Sequence, residues 1–341
     1  MLSFRKCILT ALALSLAVAL PAFAAPVAAE APAAGYEKYL PDAADGVVTI
    51  NVRQLLDSEL IKKAGLDKFL AGDDAQKAMK TIGLDPLKDI ERVVITSDKE
   101  KSDDPYFIIQ GKFDPAKLSS AIESQAENKK DALKIHKTEH GKIYELTKLD
   151  EIVKLPPQAA GAGVNLKGKS VFAVVADKGN VVLVGTKESA ETVLAKAAGK
   201  KTTKLTSKEL PGLIAKINPK QTLAVALPAP GGDDKIKSIT GGITVTSDVK
   251  SDFKVTTADA DAAKDLNGKI GEQLKMAQGI VELIVLQQKE LAPAVDIIAG
   301  IKHDAKDNAI AITSEIKGDT LQKLAKAVAD LAAKQGAGGI K

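Results

Sequence analysis

The sequence predicts an α+β protein: two related halves, each an antiparallel β-sheet of hairpins backed by α-helices. Three observations predict it. A unit of strand, polar turn, strand and helix occurs four times along the chain. The polar turns are flanked by β-branched residues, which is the hairpin signal, while the segments after each hairpin repeat apolar residues at helical spacing. A lone apolar strand also opens each half, Val47–Val52 in the first and Thr222–Leu227 in the second.

The four units follow in order. The first is Glu91–Ser97, a turn through Asp103, Asp104 and Pro105, then Tyr106–Phe113 and a helix from Asp114 and Pro115. Asp114 supplies a capping oxygen, and the fixed φ of Pro115 suits the first helical position. The second is Ser170–Ala176, a turn at Asp177–Asn180, Val181–Gly185 and a helix opening at Thr186. The third is Gly242–Ser247, a turn ending near Asp252, Phe253–Thr257 and a helix over 259–290. Asp259 and Asp261 stand in its first turn, where the helix dipole favours negative charge. The fourth is Ala299–His303, a turn at Asp304–Asn308, Ala309–Ile316 and a helix from Asp319, which with Gln322 has the spacing of a capping box. Each helix is expected to bury one face on its own hairpin. The first half carries in addition a helical insert (53–82) and the hairpin Leu133–Leu146.

Residues 1–24 read as an export signal. Arg5 and Lys6 precede an apolar run from Ile8 to Leu20, and Ala22-Phe23-Ala24 is a small-x-small cleavage site. That run of 13 residues is short of the roughly 20 that cross a bilayer core. The expected organisation is a signal peptide (1–24), a flexible leader (25–38), a first domain (39–199), a second domain (207–334) with Ser207–Ile217 as the connecting helix, and a disordered tail (335–341). The one cysteine, Cys7, lies ahead of the apolar run, so the mature chain is cysteine-free and carries no disulfide, no thiolate metal site and no lipid-acceptor thiol.

Composition narrows the function classes. With 45% hydrophobic residues and only 3% aromatic ones, the core is aliphatic. Loss of Arg5 and Lys6 with the signal leaves 46 basic residues against 44 acidic ones, and the only arginines left are Arg53 and Arg92. Arginine forks and aromatic stacking carry nucleic-acid recognition, so this balance of lysine and carboxylate argues against it. No segment after the signal reads as a transmembrane anchor.

The closest approach to a catalytic motif is His136-Lys137-Thr138-Glu139-His140, which fits the H-x-x-E-H zinc pattern. That chemistry needs a helix, so that both imidazoles project from one side and the glutamate acts as base. Here Leu133 and Ile135 before it, and Gly141, Ile143, Tyr144 and Leu146 after it, read as strand, turn, strand. His136, Glu139 and His140 are therefore expected as hairpin residues facing solvent, and His303 as an exposed residue beside a turn. Asp73-Asp74, Asp103-Asp104 and Gly231-Gly232-Asp233-Asp234 read as acidic turns, without the alternating ligands of a calcium loop. Gly161-Ala162-Gly163 sits in a Pro/Ala-rich loop (Pro156–Gly163) and lacks the context of dinucleotide binding. Gly279–Leu286 is apolar almost all round and reads as a helix buried between two layers.

A resemblance adds to this reading. Tyr39-Leu40-Pro41-Asp42, Val48-Thr49-Ile50-Asn51-Val52, Leu56-Asp57-Ser58, Gly83-Leu84-Asp85-Pro86 with Lys88-Asp89, and Gly111-Lys112-Phe113-Asp114 follow one another. In this order they resemble secreted bacterial proteins of unknown function, best represented among planctomycetes. The resemblance is clearest over 39–146; it implies export and a duplicated α+β fold and brings no catalytic residues.

The expectation from sequence is thus an exported, periplasmic or extracellular protein that is not an enzyme and needs no cofactor. It would serve as a binding or structural component of the cell envelope, with envelope proteins or an apolar ligand as partners. A carrier of lipid or another apolar ligand, with helix 259–290 over a curved sheet, is the alternative. A zinc metallopeptidase at His136, Glu139 and His140 comes third.

Overall fold

Among the described residues, twelve strands join into one antiparallel sheet. The computed structural model describes residues 35–64, 85–98, 106–128, 131–147, 170–176, 179–230 and 234–336. Residues 1–24, read as an export signal, residues 25–34 of the expected leader, the expected acidic turns at 73–74 and 103–104, the expected loop 156–163 and residues 231–233 and 337–341 lie outside the described residues. The strands are β1 (Ala44–Asn51), β2 (Ile90–Asp98), β3 (Tyr106–Gly111), β4 (Leu133–Thr138), β5 (Gly141–Leu146), β6 (Val171–Val175) and β7 (Asn180–Val184), then β8 (Leu223–Pro228), β9 (Ile236–Val245), β10 (Val249–Thr257), β11 (Lys302–Lys306) and β12 (Ala309–Ile316). Their order across the sheet is β11-β12-β10-β9-β8-β1-β2-β3-β7-β6-β5-β4. The seam between the N-terminal and C-terminal strands is the pairing of β1 with β8, with Val47 opposite Ala226 and Ile50 opposite Leu223. The two regions read from sequence as domains therefore share a single ladder.

Because side chains alternate across a pleated sheet, the register assigns every residue to one of two faces. On one face Val47, Val94, Tyr106, Ile108, Val182, Val184 and Val174 pack beneath α5 (Lys187–Ala197) and α6 (Leu210–Ile214). On the other face Val225, Leu227, Ile239, Phe253, Val255, Ile310 and Ile312 meet Ala263, Leu266 and Ile270 of α7 (Ala260–Gln287). Further along that second face, Val249 and Ile316 pack with Ile297 of α8 (Pro293–Ala299) and with Leu321 and Leu324 of α9 (Gly318–Gly336). Helices α5 and α6 thus cover one face at the N-terminal end, and α7, α8 and α9 cover the opposite face at the C-terminal end. The short helices α1 (Val52–Asp57), α2 (Glu59–Ala64) and α3 (Pro86–Asp89) and the longer α4 (Pro115–Asn128) complete the described helices.

Several helix starts behave as read. The Asp114 carboxylate accepts from the N–H groups of Ala116 and Lys117, the Thr186 hydroxyl from that of Ser189, and Asp259 from Ala262 at 2.7 Å. Other expectations are corrected. Helix α4 lies over β4 and β6, not over its own hairpin, because β2 and β3 occupy the middle of the sheet and α4 crosses toward the edge. The third hairpin turns at 246–248, where the Thr246 N–H donates to the Asp248 carbonyl, so Asp252 lies inside a strand. Strand β9 begins at Ile236 and passes through Gly241 and Gly242, which the sequence reading placed at a boundary. His303 lies in the middle of β11, its Nδ1 2.8 Å from Asn267 Oδ1 on α7. The apolar run Gly279–Leu286 is not buried: Ile280, Leu283, Ile284 and Leu286 are 42–76% exposed. Only the start of α7 has a sheet beneath it, and past Gly271, which touches the His303 ring over the edge strand β11, no residue of this helix is buried.

The leader ends earlier than residue 38. Tyr36 and Tyr39 lie in the core, joined by a 3-10 turn at Glu37–Tyr39. This strap is held by two buried polar anchors. The Tyr106 hydroxyl donates to the Tyr39 carbonyl. Lys196, with no side-chain exposure, donates through Nζ to the Leu40 carbonyl at 2.6 Å and to the Asp42 carboxylate at 2.8 Å. Tyr106→Phe is expected to lower stability by about 1–2 kcal/mol, since it deletes a buried hydrogen bond; the midpoint of urea unfolding measures it, and an unchanged midpoint would mean that this anchor holds nothing.

The same strap sets an acid dependence. Desolvation raises the Asp42 pKa, but the hydrogen bond and charge of Lys196, the Lys204 N–H and the charge of Lys201 outweigh it, so the carboxyl sits below its ordinary value. A folded-state pKa below the unfolded one gives stability that is complete above about pH 4 and is lost as pH falls through the folded value. Asp42→Asn is therefore expected to flatten the pH dependence of unfolding free energy below pH 4. Parallel curves for the two proteins in that window would contradict the assignment.

Candidate functional site

Among the described residues, no helix lies over one broad surface of the sheet. In β10, Val249, Ser251, Phe253 and Val255 point under α7 and α8, so Lys250, Asp252 and Lys254 point the other way, and all three are exposed. Register extends that face to Thr313 and Glu315 on β12, to Lys302, Asp304 and Lys306 on β11, and to Thr240 and Thr244 on β9. The local cause is plain alternation, apolar inward and Lys, Asp or Thr outward. The result is a platform carrying both signs of charge.

Asp252 is its most elaborated point. It stands opposite Thr313 on one side and Gly242 on the other. Gln221 reaches across Gly242 and donates from Nε2 to Asp252 Oδ2 at 2.9 Å. The glycine makes this reach possible, because a Cβ at 242 would lie 2.8 Å from Gln221 Oε1. Partial desolvation raises the Asp252 pKa, and the Gln221 amide pulls against that shift. At the end of the same strands Lys250 approaches Glu315 at 3.5 Å, and Lys317 bridges Glu315 and Asp248. Hydrogen bonds from Lys317 hold the carboxyls of both Asp248 and Glu315 below their ordinary range, and Asp248 also accepts the Gly318 N–H at 3.0 Å.

A polar row continues this face into the first strands. Asn51, Arg92, Gln110 and Asn180 stand side by side across β1, β2, β3 and β7. Gln110 donates to Asn180 Oδ1 at 3.1 Å, and the Asn51 side chain caps α1 by accepting from Gln54 N–H. Beyond the seam, Thr222 accepts the Val245 N–H at 2.9 Å.

The residues singled out from sequence lie elsewhere. His136 is on β4 and Glu139 and His140 form the turn before β5, so the H-x-x-E-H stretch is a hairpin. The imidazole of His136 pairs with Glu145 at 2.7 Å and leans against Phe172, while His140 approaches Glu139 at 3.1 Å. Both histidines are partly covered, not fully solvated as expected, because α5 crosses this end of the sheet and the Glu145 side chain folds over His136. Among the described residues no three His, Cys, Asp or Glu side chains are grouped to hold a metal ion. Sequence reasoning missed the platform, although the alternation of Lys250, Asp252 and Lys254 with Ser251, Phe253 and Val255 was a readable signal for it.

Fold and surface together define an α+β protein with a large antiparallel sheet, one end of which is polar on one side and has no helix over that side among the described residues. The chain matches no family model, no curated protein and no solved structure. Among the described residues, no helix is long and apolar enough to cross a membrane.

Proposed function

We propose that this is an exported protein, cleaved after Ala24, that serves without catalysis as a binding or structural component of the cell envelope. The observation that carries this reading is the platform of β9–β12, where Lys250, Asp252, Lys254, Lys302, Asp304 and Lys306 stand on one sheet. A sheet face of mixed charge suits many weak polar contacts with an extended or protein surface, in contrast to the concave and mostly apolar sites that enclose small molecules. The signal-like start and the resemblance over 39–146 support export.

We further read the chain as two related halves. Strand order supports this: β1-β2-β3-β7-β6 on one side of the seam parallels β8-β9-β10-β12-β11 on the other, with β4–β5 as an added hairpin at the far edge. The helices that follow β3 and β10 also lie on the same face. Those that follow β7 and β12 lie on opposite faces, the main departure from the parallel.

The carrier reading draws less support, since the apolar part of α7 that was to line a cavity is exposed. A zinc peptidase draws none from a hairpin. The test is retention of the mature protein, recovered from exporting cells, on isolated envelope material. The mass should begin at Ala25, and binding should be saturable, weaken with added salt and fall in Lys254→Glu/Lys306→Glu. A chain still beginning at Met1, or no retention at any ionic strength, would overturn the reading.

A further inference from the structure

The free end of α7 is the largest unexplained feature of the described surface. Met276, Ile280, Leu283, Ile284 and Leu286 are 57%, 53%, 64%, 42% and 76% exposed. Positions 276, 280 and 283 follow helical spacing and form one stripe, with Ile284 and Leu286 on either side of it. These five side chains expose on the order of 500 Å² of apolar surface, the size at which such a patch marks an interaction site.

From this geometry we propose that α7 pairs antiparallel with α7 of a second copy of this chain, making a two-fold dimer. The charges beside the stripe fit that partner. Lys275 and Glu282 are seven residues apart, two helical turns, and so share one flank. In an antiparallel pair centred between Gln278 and Gly279, Lys275 of each copy faces Glu282 of the other, giving two reciprocal ion pairs. Glu282 already accepts from Gln278 Nε2 at 2.9 Å, which fixes its side chain on that flank. Gly279 at the centre has nothing within 4 Å of where a Cβ would stand, so the helices can approach closely there. Met276 then interlocks with Ile280 and Leu283 of the partner in the manner of a short coiled coil.

Area agrees with this occupant. Two such patches bury about 1,000 Å² between them, and their flanks bring the total toward the roughly 1,200 Å² of a stable specific interface. A lipid surface fits less well, because helices that lie on membranes carry a polar side rich in Lys and Arg, whereas Lys269, Lys275 and Lys289 here alternate with Glu272, Glu282 and Glu290. The dimer stands on α7 alone and does not depend on the envelope reading.

Sedimentation equilibrium of the purified mature protein tests it. The expected result is a particle of twice the chain mass, with Ile280→Glu/Leu283→Glu raising the dissociation constant at least about tenfold. Lys275→Glu alone and Glu282→Lys alone should each weaken the dimer, and the two together should restore it, an outcome that loss of apolar area does not produce. These positions are exposed in the single chain, so unchanged circular dichroism is expected for every variant, while the thermal midpoint of a dissociated variant should fall only by what the dimer contributed. A monomer at all accessible concentrations, a dimer insensitive to Ile280→Glu/Leu283→Glu, or flotation of the wild type with neutral phosphatidylcholine vesicles in place of self-association would overturn the proposal.

Discussion

Gly242→Ala is expected to cost at least about 3 kcal/mol, and a large drop in soluble yield should accompany it. A Cβ at 242 would come 2.1 Å from the Leu223 carbonyl oxygen, 2.8 Å from Ala224 Cα and 2.8 Å from Gln221 Oε1. Two of these three atoms belong to the backbone of β8, the strand that pairs with β1 at the seam. They cannot yield without parting β8 from β9 or from β1. Gly268→Ala is the control. It lies within α7 with nothing within 4 Å of the added methyl, and alanine there should stabilise by about 0.5–1 kcal/mol through helix propensity. Urea unfolding of the two variants beside the wild type checks the pair, and equal midpoints for Gly242→Ala and wild type would refute the argument.

Lys196→Ala carries the second large effect, a loss of about 3–5 kcal/mol. Its ammonium has no exposure and meets only the Leu40 carbonyl and the Asp42 carboxylate. Burial lowers the Lys196 pKa, while the bond and charge of Asp42 pull it back up, so the pair works against its own desolvation. Removing the lysine takes from the Asp42 carboxylate and the Leu40 carbonyl their shortest hydrogen bonds, leaving the longer ones from the Lys204 N–H and the Thr203 hydroxyl, and opens a void beneath the strap that carries Tyr36 and Tyr39. Breaking one side of a buried pair in this way costs more than replacing the pair by apolar groups. Lys196→Met/Asp42→Leu should therefore recover much of the loss, and calorimetry on the single and double variants measures it. A double variant no better than Lys196→Ala would show that packing, not charge, is the issue.

These two positions also mark where sequence stopped being informative. Strands were legible wherever apolar residues alternated or ran between turns: β12 was read as Ala309–Ile316 and the added hairpin as Leu133–Leu146, in agreement with the structure. Helix starts at Thr186 and Asp259 were legible because capping is local chemistry. The Gly241-Gly242 pair misled because glycine ordinarily weakens a strand, whereas here the approach of β10 at Gly241, and of β8 and Gln221 at Gly242, requires the missing side chains. Helix α8, seven residues behind Pro293, is too short for periodicity to show. The hydrophobicity of Gly279–Leu286 was read correctly, but burial depends on what lies opposite, and that is a long-range fact. The same holds for Asp42 and Lys196, separated by 154 positions, and for the β1–β8 seam, whose strands were each read but not joined.

A single sheet joins the N-terminal and C-terminal strands through β1 and β8, and so holds the β9–β12 platform on one scaffold with the rest. Thr49 and Ala224 are direct partners across the seam, and antiparallel partners lie about 4.5–5.5 Å apart at Cα, within the span of a disulfide. Thr49→Cys/Ala224→Cys in a Cys7→Ser background should oxidise to an intramolecular disulfide, seen as a loss of two hydrogens and both free thiols, and the cross-linked protein should unfold in one transition. Thiols that stay free under mild oxidation, with two separate unfolding transitions, would contradict the single sheet.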